Sequence, residues 1–186
     1  ALATICKNKA FPALVLAPRS VVREWKDQIA IFTKGINVLE LKQEGPSGNF
    51  GEIITRWKPI MNEPCIFLGH YELLYDGDKG KKSKGFDLLF RNVPFKAVIC
   101  DESQKLKNPD AALYRNARQY FADANRETPV EYKLLLTGTP MPNRPYEFMS
   151  QLEFLDQLKN FGGRAGFVSR YCPGSTHKTA INTADL

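Results

Sequence analysis

Five short apolar runs alternate with amphipathic stretches along this chain of 186 residues. Because the runs are continuously apolar, they predict strands that are buried on both faces, as in a parallel sheet covered by helices. We therefore predict an α/β fold, with a mostly parallel open sheet and helices on both faces. The predicted strands are Ala13–Ala17, Ile36–Leu41, Cys65–Gly69, Phe95–Cys100 and Lys133–Leu136.

Apolar residues at helical spacing predict the helices between these strands. We expect Ser20 to cap a helix whose buried face includes Trp25 and Phe32, with Trp25 packing in the core. Residues 76–85 are rich in Gly, Lys and Asp and predict an exposed insertion. The other predicted helices are 1–6, 50–61, 109–124, 145–158 and 167–171.

Four of the strands end in polar or glycine-rich segments. Ligands of open parallel sheets bind at the carboxyl ends of the strands, so we expect these segments to meet at one functional edge. In particular, Asp101 and Thr137 should lie at the same edge. The four segments are 18–20, 69–72, 101–104 and 137–140.

Asp101 and Glu102 follow directly after the fourth predicted strand. Enzymes that cleave phosphate bonds use such acids, one to hold a magnesium ion and one to orient a water. An acid pair after an apolar run is common, however, and alone it is better explained as a solvated strand end. The other segments at the predicted edge favour the functional interpretation.

The net charge of +6 and the pI near 9.1 are compatible with a polyanionic partner such as DNA, RNA or a nucleotide. Part of this charge lies in residues 79–84, which we interpret as a solvated loop. The apolar runs are too short to cross a membrane, and no signal peptide is visible. The four cysteines include no CxxC metal pair, and Cys65 and Cys100 lie in apolar runs, where a free cysteine behaves as a small hydrophobe, so we expect a reduced, intracellular protein.

Three stretches resemble motifs Ia, II and III of the Swi/Snf-type ATPases of helicase superfamily 2, and His70-Tyr71-Glu72 lies where motif Ib would be. Leu106-Lys107-Asn108 favours this family over RNA helicases and over translocating restriction subunits. Residues 167–172 are similar to a segment of the annealing-helicase branch. The three stretches are Leu14–Pro18, Asp101–Asn108 and Leu134–Asn143.

The resemblance implies a RecA-like lobe of a motor that hydrolyses ATP and translocates on double-stranded DNA. Asp101 would bind Mg²⁺, Glu102 would polarise the attacking water, and Gln104 would contact the nucleotide and take part in coupling. Thr137, Gly138, Thr139 and Pro140 would couple the nucleotide state to DNA. The implied DNA-contacting residues are Arg19, Ser20, His70, Tyr71, Lys107 and Asn143.

The chain departs from the family pattern in two respects. Ser103-Gln104 stands where the family usually has Ala-His, and Gln keeps hydrogen-bonding capacity but does not titrate near neutral pH. No GxxxxGK[ST] sequence occurs. We therefore expect part of a first lobe, incomplete at the N-terminus, over residues 1–160. Residues 161–186 would be an extension toward a missing second lobe.

By itself, such a chain should hydrolyse ATP negligibly. We expect a monomer that binds no membrane and is nuclear in a eukaryote, or cytoplasmic and nucleoid-associated in a prokaryote or virus. The alternative is a non-catalytic RecA-like module that binds nucleic acid or a protein partner. The intact acid pair favours the enzyme, because a pure binding module has no use for a magnesium carboxylate.

Overall fold

A computed structural model describes residues 1–43, 48–76, 81–121, 129–141 and 145–172. In these ranges, strands and helices alternate along the chain. The strands are β1 (Ala13–Ala17), β2 (Asn37–Glu40), β3 (Cys65–His70), β4 (Tyr75–Asp76), β5 (Lys81–Lys82), β6 (Ala97–Asp101) and β7 (Tyr132–Leu136). The α-helices are α1 (Leu2–Lys7), α2 (Val22–Phe32), α3 (Phe50–Trp57), α4 (Lys84–Asn92), α5 (Ala112–Phe121), α6 (Pro145–Phe154) and α7 (Gly163–Tyr171).

The main sheet has five strands in the order β2-β3-β1-β6-β7, and all of its neighbouring pairs are parallel. This confirms the predicted parallel sheet and its five strands to within two residues at each end. The chain leaves β1 toward β2 on one side and later crosses to β6 on the other. The carboxyl ends of β1 and β6 therefore flank a switch point, where open α/β sheets bind ligands.

Apolar side chains cover both faces of the sheet, as predicted. The larger cluster packs helices α3, α4 and α5 against one face, through residues such as Phe67, Phe86 and Tyr120. The smaller cluster packs α1 and α2 against the other face, around Val15 and Ile29. A third cluster joins α6 to α7. The predicted domain boundary at residue 160 remains a prediction, and residues 173–186 lie outside the described ranges.

The structure corrects the predicted helix after β1 in two respects. The helix begins with Val21 at its cap and has no side-chain capping bond, so the prediction for Ser20 is wrong. Phe32 is 70% exposed, so it does not belong to the buried face. Ile29 is the one buried residue of this helix. The helix covers one face of the sheet, and most of its own side chains are exposed to solvent.

The predicted insertion at residues 76–85 is also only partly correct. Lys81–Lys82 pairs with Tyr75–Asp76 as a small antiparallel ribbon, and Ser83 is buried. The Ser83 hydroxyl accepts a hydrogen bond from the Phe86 amide, which caps helix α4. This helix was not predicted, although Phe86, Leu89 and Phe90 recur at helical spacing and are buried. Residues 77–80 and Ala124 lie outside the described ranges.

Candidate functional site

The four predicted segments meet at the carboxyl edge of the main sheet. Ala17 pairs with His70 across β1 and β3, and Leu16 pairs with Cys100 across β1 and β6. Asp101 pairs with Leu136, which places Thr137 beside the acid pair. The prediction that Asp101 and Thr137 lie at the same edge is confirmed.

Asp101 is the last residue of β6, and three hydrogen bonds hold it. The Trp25 indole Nε1 donates to its Oδ2 at 2.7 Å, and the Glu102 amide donates to its Oδ1 at 3.0 Å. The Tyr71 hydroxyl donates to its backbone carbonyl at 2.7 Å. All three donors are uncharged, and the two that reach the carboxylate orient it without neutralising its negative charge.

Glu102 turns the chain sharply away from the strand. Its φ of 49° and ψ of 51° lie in the left-handed region, which is uncommon for a residue with a side chain. Such conformations cluster at functional sites, where the surrounding structure maintains the strain. The turn leaves the side chains of Asp101 and Glu102 half-buried at the edge.

A chain of side-chain hydrogen bonds connects Glu102 to the segment after β7. The Gln104 amide Nε2 donates to Glu102 Oε2 at 2.6 Å, and Gln104 Oε1 accepts from the Thr137 hydroxyl at 2.7 Å. The Thr139 amide in turn donates to the Thr137 oxygen at 3.0 Å. We call the residues Asp101, Glu102, Gln104 and Thr137 the acidic half of the edge.

The segments that follow the acidic half are fixed to helix α6. Gln151 Nε2 donates to the Pro140 carbonyl at 2.6 Å, and Ser103 Oγ donates to Gln151 Oε1 at 3.3 Å. The Ser150 hydroxyl donates to the carbonyl of Lys107. One helix therefore contacts both the loop after β6 and the loop after β7. Gly138, Thr139 and Pro140 are exposed.

Basic side chains line the other part of the edge, near β1, β2 and β3. They surround a cavity of about 660 Å³ that we call the basic groove. Arg19 lines this groove, and both Arg19 and the following Ser20 are exposed. The charged and polar lining residues are Arg19, Arg23, Lys26, Asp27, Glu40, Lys42, Gln43 and His70.

His70 is buried at the base of the basic groove. Arg19 Nη2 lies 3.5 Å from its Nε2, and Glu72 Oε2 lies 2.9 Å from its Nδ1. A guanidinium can only donate, so this contact suits the neutral tautomer in which Nε2 accepts and Nδ1–H donates to Glu72. Burial, assisted by the Arg19 charge, lowers the pKa of His70 in spite of the opposing effect of Glu72.

Glu72 links the groove to the loop after β6. Burial acts to raise the pKa of Glu72, but hydrogen bonds from the backbone and His70, together with Lys105, outweigh it and lower the pKa. The Lys105 ammonium lies 4.0 Å from Glu72 Oε1. These contacts fix the segment between the basic groove and the acidic half.

Tyr71 occupies a different place from the one predicted. Its side chain is 1% exposed, and its hydroxyl bonds to the carbonyl of Asp101. Burial raises the pKa of this hydroxyl far above its usual value, so it stays a donor. The side chain lies behind the acid pair instead of on the surface, which corrects the expectation that Tyr71 contacts DNA.

Of the two further predicted DNA contacts, Lys107 lies at the margin of the edge. The Lys107 ammonium is 3.2 Å from Glu147 of helix α6, so it is half-buried in an ion pair. Asn143 lies outside the described residues. Trp25, by contrast, was predicted only to pack in the core. It does pack against the smaller cluster, but its indole N–H also reaches the acid pair.

The donor set fits a magnesium ion that arrives with phosphates. Among the described residues, no group of three or more His, Cys, Asp or Glu side chains could hold a metal ion. Mg²⁺ usually binds through one or two carboxylates, several waters and the phosphates of a substrate. Asp101 supplies one such carboxylate. None of the helices in the described part of the chain is long and apolar enough to span a membrane.

The comparison with protein families matches residues 3–181 to the model described as "SNF2-related domain". Among curated relatives, ATP-dependent DNA helicase DDM1 of Arabidopsis thaliana is 32% identical over 146 residues, which cover 77% of this chain and 17% of that protein. Chromatin remodeling factor mit1 of Schizosaccharomyces pombe is 28% identical over 156 residues, covering 82% of this chain and 10% of that protein.

A solved structure, the Sulfolobus solfataricus SWI2/SNF2 ATPase core in complex with dsDNA, superposes with a TM-score of 0.61. It is 21% identical, and the match covers 95% of this chain and 32% of that one. At this identity the likeness concerns the fold. The chain thus spans less than a fifth of the length of the two curated relatives and about a third of the solved core.

Proposed function

The chain belongs to the SNF2-related domain family, and on this premise we propose that it carries the acid pair and part of the DNA track of an ATP-dependent motor on double-stranded DNA. Its sheet is that of the SWI2/SNF2 ATPase core, which is RecA-like. The relatives named above are an ATP-dependent DNA helicase and a chromatin remodelling factor. We propose the same class of activity for the gene product that carries this chain.

The observation that carries the proposal is the hydrogen-bonded path from Glu102 through Gln104 to Thr137. A hydrolytic site needs a carboxylate that can orient and deprotonate a water. Within the described residues, Glu102 Oε1 forms no hydrogen bond and Glu102 forms no ion pair. This oxygen is therefore the group that we assign to the attacking water.

Asp101 and Glu102 have different roles in this proposal. Asp101 would hold Mg²⁺ together with the phosphates of ATP, and a bound magnesium ion neutralises charge on the transferred phosphoryl group. Glu102 would orient the water and accept its proton. Trp25 and Tyr71 hold Asp101, whereas only Gln104 among the described side chains holds Glu102. The orientation of each acid is therefore maintained by a different group of neighbouring side chains.

The path to Thr137 would couple ATP hydrolysis at Glu102 to the binding of DNA. Gln104 bonds to Glu102 and Thr137 simultaneously, so a displacement of the β7 loop changes the support of the water-orienting carboxylate. Because Gln does not titrate, this coupling should not depend on pH near neutrality. We propose that Gly138, Thr139 and Pro140 transmit the DNA-bound state through this path.

The basic groove is the proposed contact with the duplex. Guanidinium and hydroxyl donors at Arg19 and Ser20 can bind phosphate oxygens without reading base sequence. His70 supports Arg19 from below, since its Nε2 accepts from the guanidinium. Lys107 and Asn143 remain proposed contacts on the grounds of the family resemblance. We propose double-stranded DNA, ATP and Mg²⁺ as the ligands.

Glu102→Gln in the full gene product tests the proposal. The amide keeps the shape of the side chain but cannot accept a proton, so hydrolysis should fall by about 10²- to 10⁴-fold. Binding of ATP and of a DNA duplex should stay within about twofold, because Glu102 is not assigned to either. Unchanged hydrolysis would refute the assignment of Glu102.

Asp101→Asn should behave differently from Glu102→Gln. It removes the charge that faces the metal, so magnesium-dependent nucleotide binding should itself weaken. Thermal melting of both variants provides the control for folding. If both variants lost the same large amount of melting temperature and every activity together, the two acids would be structural.

A further inference from the structure

Trp25 and Asp101 are separated by 76 residues in sequence and meet through one short hydrogen bond. The indole Nε1 of Trp25, on the first turn of helix α2, donates to Asp101 Oδ2 at 2.7 Å. The length is at the short end of the range for N–H···O bonds, as expected when the acceptor is charged. This bond joins the first turn of helix α2 directly to the acid pair.

The bond determines how the Asp101 carboxylate is oriented. Oδ2 accepts from Trp25 and Oδ1 accepts from the Glu102 amide. A carboxylate has about four acceptor sites, so each oxygen retains one for another ligand. The two donors therefore fix the orientation of the carboxylate, because its rotation would break a bond.

The chemical nature of the donor also matters. Indole N–H is neutral and does not titrate, so it orients Asp101 without cancelling its charge. A lysine or arginine in the same place would compete with a metal ion for the carboxylate. Within the described residues, Asp101 forms no ion pair, and its donors are the indole of Trp25 and the Glu102 amide.

We propose that Trp25 is a positioning residue that holds the Asp101 carboxylate in the orientation needed to bind magnesium with a nucleotide. The inference rests on the proposed function, because it takes Asp101 as the metal-facing acid. Side chains that hydrogen-bond to metal ligands fix the orientation of those ligands, and their loss typically reduces metal affinity by about 10- to 100-fold. Trp25 is such a side chain here, because it hydrogen-bonds to the proposed metal ligand Asp101.

Trp57 offers a matched control within the same chain. It is 5% exposed and packs in the cluster on the opposite face of the sheet, near Phe67. Its indole Nε1 is buried and has no hydrogen-bond partner among the described residues. Trp57→Phe therefore removes an indole without removing a hydrogen bond, whereas Trp25→Phe removes the bond to Asp101.

The test measures ADP affinity of the full gene product with Mg²⁺ and with EDTA. The ratio of the two affinities reports the contribution of the metal without requiring hydrolysis. Trp25→Phe should reduce this ratio by about tenfold, and Trp57→Phe should leave it within about twofold. Asp101→Asn should bring the ratio of the two affinities close to one. Adding Trp25→Phe to Asp101→Asn should have little further effect, because Trp25 acts through Asp101.

The outcomes separate this inference from the proposed function. If Asp101→Asn reduces the ratio but Trp25→Phe does not, the inference about Trp25 is wrong and the assignment of Asp101 stands. If Asp101→Asn leaves the ratio unchanged, both are wrong. Should Trp25→Phe fold poorly, 3-benzothienylalanine at position 25 replaces only the N–H by sulfur. A ratio equal to wild type with that side chain would equally refute the inference.

Discussion

The acidic half and the basic groove lie on one edge of one sheet, yet their side chains are held by different kinds of contact. In the acidic half, the carboxylates of Asp101 and Glu102 accept from an indole, an amide and a backbone N–H. Beside the basic groove, charges are paired: Lys26 lies 3.5 Å from Glu40. His70, at its base, also bonds to the carboxylate of Glu72.

This difference has a consequence for the ligands that each part can bind. Neutral donors leave the acidic half negatively charged, so it repels a phosphate unless a metal cation comes with it. The basic groove needs no metal, because Arg19 can bind a phosphate directly. The two parts are joined at residues 70–72, where Tyr71 reaches from the base of the groove to the carbonyl of Asp101.

Thr137→Val tests the coupling path of the acidic half. Valine preserves the shape but removes the hydroxyl that joins Gln104 to the β7 loop. We expect DNA stimulation of ATP hydrolysis to fall about fivefold, the effect of one hydrogen bond of about 1 kcal/mol. Hydrolysis without DNA should change less.

The matched control is Thr55→Val, since Thr55 is exposed and its hydroxyl bonds, among the described residues, only to the Gly51 carbonyl of its own helix. That variant should retain full DNA stimulation. If Thr137→Val retains it as well, the path through Gln104 does not couple the two activities. The rate should be measured at saturating ATP with and without duplex.

Arg19→Ala tests the basic groove. Loss of one phosphate contact should lower the slope of log affinity against log salt by about 0.9, and should weaken duplex binding by about five- to tenfold near 0.1 M salt. Arg91→Ala is the control, because Arg91 is exposed at the end of α4 and pairs with Asp87. If the two variants had the same slope of log affinity against log salt, the duplex would not bind at Arg19.

The smallest expected effect concerns His70. Its pKa is lowered in the folded chain, so as the pH falls below about 6.5 the unfolded chain takes up a proton before the folded chain does. The free energy of unfolding should therefore decrease with falling pH in this range. The groups facing the ring are Arg19 and Glu72, and the lowered pKa of Glu72 acts at lower pH.

His70→Asn should remove this pH dependence, because Asn keeps a donor toward Glu72 but does not titrate. Urea unfolding at pH 5.5 and at pH 7.5 measures the difference for the wild-type chain and the variant. An identical difference for the two proteins would show that His70 is not the group responsible.

The edge itself could be predicted from sequence, because it depends on local patterns. Each strand is a continuous apolar run, and each run stops where polar residues such as Asp101 and Thr137 begin. Parallel pairing then aligns the ends without further information. The role of Gln104 followed from the family resemblance, and the structure adds its bonds to Glu102 and Thr137.

The contacts across the edge could not be predicted in this way. No periodic pattern links Trp25 to Asp101, because the contact depends on how α2 rests on the sheet. The same applies to Tyr71, which the family resemblance implied as a DNA contact although its side chain is buried. Helix α4 was missed for a different reason: its capping Ser83 stands in a lysine- and glycine-rich stretch that masked the apolar spacing.

The division of the edge into two parts can be tested most directly by measuring duplex affinity and ATP hydrolysis for Glu102→Gln and Arg19→Ala side by side. The account predicts a crossed result: Glu102→Gln abolishes hydrolysis and keeps duplex affinity, whereas Arg19→Ala weakens duplex affinity and largely keeps hydrolysis at saturating duplex. If instead each substitution reduced both quantities by the same factor, the acidic half and the basic groove would not be separate sites, and the account would be contradicted.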